Sequence, residues 1–282
     1  MSILLALLLQ VGPNPSGEST LGTPEELINR PPREAALEPP TNPTSQWLQE
    51  CLDQLDEDPA RAHSKAQIRR NEKDGAERVV ANHCLGLAAT ELGLWEDART
   101  AFVSARDETP ADELRTKARF GTMAGNAALA GGDPQQALDL LILAQTDARA
   151  AASATLEALA ATDAARALVA MDRSEEALAA LDTATQLEPN KAEGWLLKAT
   201  LLRRLERLDE AQAAIETAVG LAPLEGLIGL EAGVIAVLSG REDAARQSWQ
   251  SVINTQPDSL AAQTAKNYLA QIGPAPEEQA SP

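Results

Sequence analysis

Residues 192–223 read AEGWLLKATLLRRLERLDEAQAAIETAVGLAP. Trp195, Ala199 and Leu202 recur at helical spacing and share one face of a helix. After a polar break at 206–209, Ala211, Ile215 and Ala218 do the same on a second helix. The small Ala199 and Ala211 let the two backbones approach closely. Pro223 lacks an N–H and blocks continuation of the second helix. One helix pair of this size cannot bury its apolar face alone, so the stretch predicts copies of itself on either side.

The copies are present. Thirty-four residues back stand Ala165, Ala177, Leu181, Ala184 and Pro189; thirty-four forward stand Gly233, Ala245, Trp249, Val252 and Pro257. Gly86, Ala98, Phe102, Ala105 and Pro110 repeat the pattern upstream, as do Gly125, Ala137, Leu141 and Ala144, with Arg149 in place of the proline. A period of thirty-four, two helices per unit and this ladder of small and large residues resemble the tetratricopeptide repeat family. The resemblance covers about 79–257, with a weaker unit before it. It implies an all-α, right-handed superhelical solenoid of antiparallel helix pairs, and it says little about chemistry.

Composition is consistent with such a fold. A chain of 282 residues exceeds one ordinary core, and a solenoid escapes that limit because each unit packs only on its neighbours. Aromatic residues are 2% of the chain, which suits close helix–helix packing through alanine. A formal charge of −18 argues against nucleic acid as a partner, since phosphate neutralisation needs clustered Lys and Arg. The carboxylate pairs Glu96 and Asp97, Glu175 and Glu176, Asp209 and Glu210, and Glu242 and Asp243 each fall in the first turn of a second helix. There they complement the helix dipole.

Residues 3–9 form an apolar run too short to span a bilayer. It fits the core of a secretory signal peptide over 1–12, although no Lys or Arg precedes it and no small-x-small cleavage site follows. Eight of the seventeen prolines crowd into 11–44, which leaves 13–44 a Pro-rich disordered linker. The repeats then occupy 45–272 and 273–282 is a disordered tail. Trp47, Cys51 and Leu55 mark the first helix, and Asp58-Pro59 opens a second with Ala62 and Ala66 inward.

The alanine that opens each second helix falls at 62, 98, 137, 177, 211 and 245, giving intervals of 36, 39, 40, 34 and 34, of which 39 and 40 exceed the period by five or six residues. The excess is expected in longer first helices. Residues 148–170, with twelve alanines and no Gly or Pro, predict one continuous helix. Asp133-Pro134 reads as an N-cap and first-turn pair. Pro257-Asp258 precedes a lone last helix over 259–272, placed as the solvating cap such arrays need.

Candidates for chemistry are few. His63, His83, Cys51 and Cys84 are the only histidines and cysteines, and they lack the Cys-x-x-Cys and His-x(3–5)-His spacings of a zinc finger. His83 and Cys84 are adjacent, hence about 100° apart on a helix and unable to pair with each other. Gly131-Gly132-Asp133-Pro134 lacks the Lys and Ser/Thr of a phosphate loop. The expectation is therefore no enzyme, no metal, no cofactor and no small-molecule substrate.

The family resemblance adds two expectations. Cys51 and Cys84 lie on first helices of adjacent units, which stack side by side, so in an exported chain a disulfide joins them. The inner face is lined by the first helix of each unit. Mapped here, it carries Val80, His83 and Leu87, then Arg119, Thr122 and Asn126, then Arg166, then Thr200, Arg203 and Arg204. Its C-terminal end is apolar through Leu227, Leu230, Val234 and Leu238. Four arginines on an acidic protein suit a carboxylate or acidic peptide; alternatively they answer neighbouring carboxylates such as Glu193 and Glu206. Thr122 and Met123 break the family's carboxylate clamp. The function expected is non-catalytic: an interaction module or scaffold, in the periplasm or secreted, that binds a protein or peptide segment in its concave groove. A cytoplasmic adaptor or assembly factor, and a homo-oligomeric scaffold pairing through the apolar end of the groove, stand as alternatives.

Overall fold

The computed structural model describes residues 43–273. The segment read as signal peptide lies outside the described residues, as do the tail apart from Gly273 and the linker apart from Pro43 and Thr44, which are already helical. Among the described residues there are thirteen helices and no strand. They come as pairs: α1 (Pro43–Glu57) with α2 (Pro59–Glu72), α3 (Gly75–Glu91) with α4 (Trp95–Glu108), and α5 (Leu114–Ala130) with α6 (Pro134–Ala150). Then follow α7 (Ala154–Ala170) with α8 (Ser174–Leu187), α9 (Ala192–Arg204) with α10 (Leu208–Leu221), and α11 (Gly226–Leu238) with α12 (Glu242–Thr255). A single helix, α13 (Leu260–Ile272), ends the array. Each helix packs on the next in sequence, and first helices of successive pairs meet at α1–α3, α5–α7 and α9–α11, which makes an all-α solenoid.

Within a pair, residue size on one helix answers size on the other. A Cβ at Gly86 would lie 2.4 Å from the Phe102 ring, one at Gly125 2.6 Å from Leu141, and one at Gly233 2.1 Å from the Trp249 indole. In the α7/α8 and α9/α10 pairs, Ala165 and Ala199 stand at the glycine's place opposite Leu181 and Ile215, all four buried. Each large side chain removed from water stabilises the array by roughly 1.5–3 kcal/mol. Trp249 also donates its indole N–H to the Leu230 carbonyl at 3.1 Å, so its polar edge is satisfied.

The corner inside each pair after the first uses one residue in the left-handed region. These are Gly93 (φ 69°), Gly132 (85°), Asp172 (58°), Glu206 (60°) and Gly240 (73°). Asp133 caps α6 by accepting from the Gln136 N–H at 2.9 Å, and Asp58 caps α2 by accepting from Arg61 at 3.0 Å. The first-turn carboxylates do more than face the dipole: Arg99, Arg173 and Arg207 hydrogen-bond Glu96, Glu176 and Glu210. Those bonds hold the three carboxyls below the usual carboxylate range.

The continuous helix expected over 148–170 is not formed. The chain turns at 151–153, with Ala152 at φ 49° and the Ser153 N–H donating to the Ala148 carbonyl at 2.9 Å. A left-handed alanine costs roughly 1–2 kcal/mol. Turning back lets α7 bury Ala160, Ala161, Ala164, Ala165, Ala167 and Leu168, which outweighs that cost. Arg149 clasps the corner, its guanidinium bonded to Glu157 at 2.6 and 2.9 Å. The excess residues also divide differently from expectation. The first helices α5 and α7 have 17 residues against 13 in α9 and α11, and the second helix α6 is lengthened as well, to 17 against 14 in α8.

At the C-terminal end, α13 buries Ala262 and Ala265 and lays Tyr268 against Trp249, ring centroids 5.1 Å apart. Arg246 of α12 reaches over to donate to the carbonyls of Ile272 (3.2 Å) and Gly273 (2.6 Å), which otherwise lack intrahelical partners.

Candidate partner-binding groove

The expected groove residues sit on the first helices α5, α7, α9 and α11, but their environments differ sharply. Arg166 on α7 is ion-paired twice, with Asp163 one turn back and with Glu193 on α9. Arg203 on α9 binds Glu231 on α11, Nε to Oε1 at 2.6 Å and Nη2 to Oε2 at 3.4 Å. These two arginines therefore join neighbouring units and are not a set of waiting cations. Glu193 is one of the two carboxylates weighed as answering them. Glu206, the other, does not answer them: it occupies the left-handed corner, and Glu231 takes its place.

Asn126 on α5 donates from Nδ2 to Asp163 Oδ2 at 2.9 Å. Asp163 is only 3% exposed, and burial pushes its carboxyl above the ordinary aspartate value, against the opposing pull of Asn126 and Arg166. A polar chain Asn126–Asp163–Arg166–Glu193 thus crosses α5, α7 and α9. Sequence reasoning missed Asp163 and Glu231. Both occupy the same position of the thirty-four-residue period, Asp163 three residues before Arg166 and Glu231 twenty-eight after Arg203, so the register marks their common place on the first helices but not the pairing.

Arg119 and Arg204 are different. Both are exposed, and neither forms an ion pair among the described residues. Arg204 borders a small cleft of about 180 Å³ between α7 and α9, with Val169, Leu197 and Thr200. Arg119 borders a larger one, about 480 Å³, between α3 and α5, with Val79, Val80, His83, Phe120 and Met123. The His83 imidazole stands edge-on to the Phe120 ring, centroids 5.2 Å apart and planes at 70°. Burial, and secondarily the Arg119 charge, lower the His83 pKa, so the ring is neutral near pH 7.

The apolar end divides too. Leu227 and Leu238 are 60% and 54% exposed. Leu230 and Val234 instead pack against the Trp249 cluster and offer little surface. At the other end of the array, the Cys51 and Cys84 sulfurs lie within bonding distance, their Cα atoms 6.3 Å apart. That separation is within the range a disulfide spans.

The tetratricopeptide repeat family profile matches residues 162–225 and 196–259. Solved structures share the fold. The structure of pilF from Pseudomonas aeruginosa superposes at a TM-score of 0.60 and 14% identity, over 80% of this chain and 97% of that one. The 41-end form of MamA from Desulfovibrio magneticus RS-1 reaches 0.53 at 17% identity, over 64% and 97%. A further MamA crystal structure reaches 0.51 at 18% identity with the same coverages. No curated protein matches the sequence. Repeat profile, thirty-four-residue ladder and paired-helix fold agree: residues 162–259 are tetratricopeptide repeats, and the described helices before them share the same paired-helix fold.

Proposed function

We propose that this protein is a non-catalytic interaction module or scaffold, exported to a bacterial cell envelope, that holds a protein or peptide segment against its first-helix faces. The observation that carries the reading is the contrast among the arginines. Arg166 and Arg203 are consumed by neighbouring units, whereas Arg119 and Arg204 face solvent beside apolar clefts. A guanidinium fork beside an apolar cleft suits a peptide segment, which brings carboxylates and side chains together. The test is a photo-crosslinking residue placed in the full chain at position 119, 204 or 227, with exposed Gln250 on α12 as control. Protein adducts are expected at one or more of the first three positions and not at 250. Equal labelling everywhere, or none, rejects the reading.

Export rests on the apolar run at 3–9 and on the approach of Cys51 to Cys84, since disulfides persist in oxidising compartments. Protein recovered from its own cells should begin within 11–17 and yield a linked Cys51–Cys84 peptide. An intact Met1 with two alkylatable thiols would favour the cytoplasmic adaptor instead. Exposure of Leu227 and Leu238 favours a second reading, a self-associating scaffold, which concentration-dependent mass would support.

A further inference from the structure

The α3/α5 cleft differs from every other position along the first-helix faces. Two polar groups converge on it with no side-chain hydrogen bond or ion pair among the described residues: the Arg119 guanidinium and the His83 ring, which feels the Arg119 charge. The rest of its wall is apolar, through Val79, Val80, Phe120 and Met123. The neighbouring acid Glu108 is already engaged by Arg78 at 2.7 Å, so it does not neutralise Arg119. Glu113, on the rim, precedes the first turn of α5 and lies six residues from Arg119, about 9 Å along the helix. The cleft therefore has a cationic end, an apolar middle and an acidic rim. Its volume falls within the roughly 300–1,000 Å³ of pockets that hold small ligands or side chains.

We infer that this cleft is an anchor point for a partner segment in which an apolar side chain is followed directly by a carboxylate, the apolar group entering between Val80, Phe120 and Met123 and the carboxylate bridging Arg119 and His83. The inference rests on the proposal that the first-helix faces bind a protein segment, and it adds the chemistry of the residue pair and its place. Charge complementarity selects this occupant. An unpaired guanidinium next to a neutral imidazole offers several guanidinium N–H donors and one ring N–H, against a single acceptor nitrogen, and a carboxylate can accept from both groups at once. Glu113 sets direction, because a second acid on the apolar residue's other side would face it.

The experiment uses the full chain and four nine-residue peptides with a Gly/Ser framework and a central Leu-Asp, Leu-Asn, Ser-Asp or Ser-Asn. The chain holds only two histidines, so ring resonances of His83 report the cleft and those of His63 serve as an internal control. Leu-Asp should bind at least tenfold more tightly than each of the others and move the His83 signals while leaving His63 in place. Arg119→Gln should lower Leu-Asp to the Leu-Asn affinity and leave Leu-Asn unchanged. Equal affinity for all four peptides, an unmoved His83, or an Arg119→Gln variant that keeps the Leu-Asp preference overturns the inference. So does a concentration-dependent mass that Arg119→Gln abolishes, since the occupant would then be a second copy. Crosslinks at 204 or 227 with a silent His83 would leave the general reading standing and remove only this anchor; a responsive His83 with no crosslinked protein would do the reverse.

Discussion

Arg203 and Arg204 are neighbours in sequence with opposite structural duties. Arg203 bonds the largely buried Glu231 of the next unit, whereas Arg204 points past Leu197 and Thr200 to solvent. Replacing Arg203 with glutamate would oppose two carboxylates at a half-buried site and should cost about 2–3 kcal/mol. Arg204→Glu should change stability by less than about 0.5 kcal/mol. Urea unfolding of the two single variants checks the split, and equal losses would mean that the Arg203–Glu231 pair contributes nothing. The arginines themselves were legible from the period, because repeat register places a residue on a helix face. Their partners were not. Whether a face-pointing arginine meets water or a carboxylate depends on how far the next helix is offset, and that offset is set by contacts between units, which no single unit's pattern contains.

Helices are where sequence pattern and structure agree most closely and also where they part. The complementary pairs Gly86–Phe102, Gly125–Leu141 and Gly233–Trp249 follow from volume alone: two backbones that approach this closely leave room for one large side chain, not for two. Trp249→Ala should cost about 3–5 kcal/mol by opening a cavity between α11, α12 and α13. Gly233→Ala should cost about 1–3 kcal/mol in the parent chain, because the added methyl meets the indole. In the Trp249→Ala background the same change should be neutral or stabilising, since the clash is gone and alanine is the better helix former. Thermal or urea melts of the four chains decide this; additive losses would place the strain elsewhere. The break at Ala152 was illegible for the opposite reason. Nothing local interrupts 148–170, and the interruption comes from the packing of α7 back against α6 and α5, a tertiary gain that overrides a weak local preference.

At the scale of the whole array, stability is close to a sum of unit and neighbour terms, so damage at one end should stay there. The Cys51–Cys84 contact ties α1 to α3 around a closed segment 33 residues apart in sequence. Opening that loop by Cys51→Ser should cost the oxidised protein about 3–4 kcal/mol. Amide exchange should then quicken in α1 and α2 while α9 to α12 keep their protection. Uniform loss of protection would show the array to be one cooperative unit. The same contact has a mechanical consequence. A repeat array pulled from its ends lengthens as units peel away, and with the bridge closed the segment between Cys51 and Cys84 is withheld from the tether. Its release by a reductant would add about 110 Å of contour at roughly 3.3–3.6 Å per residue. With the segment between the two cysteines withheld, extension comes from the helices beyond Cys84, so tension applied from the N-terminal side reaches the first-helix faces before the first pair unravels.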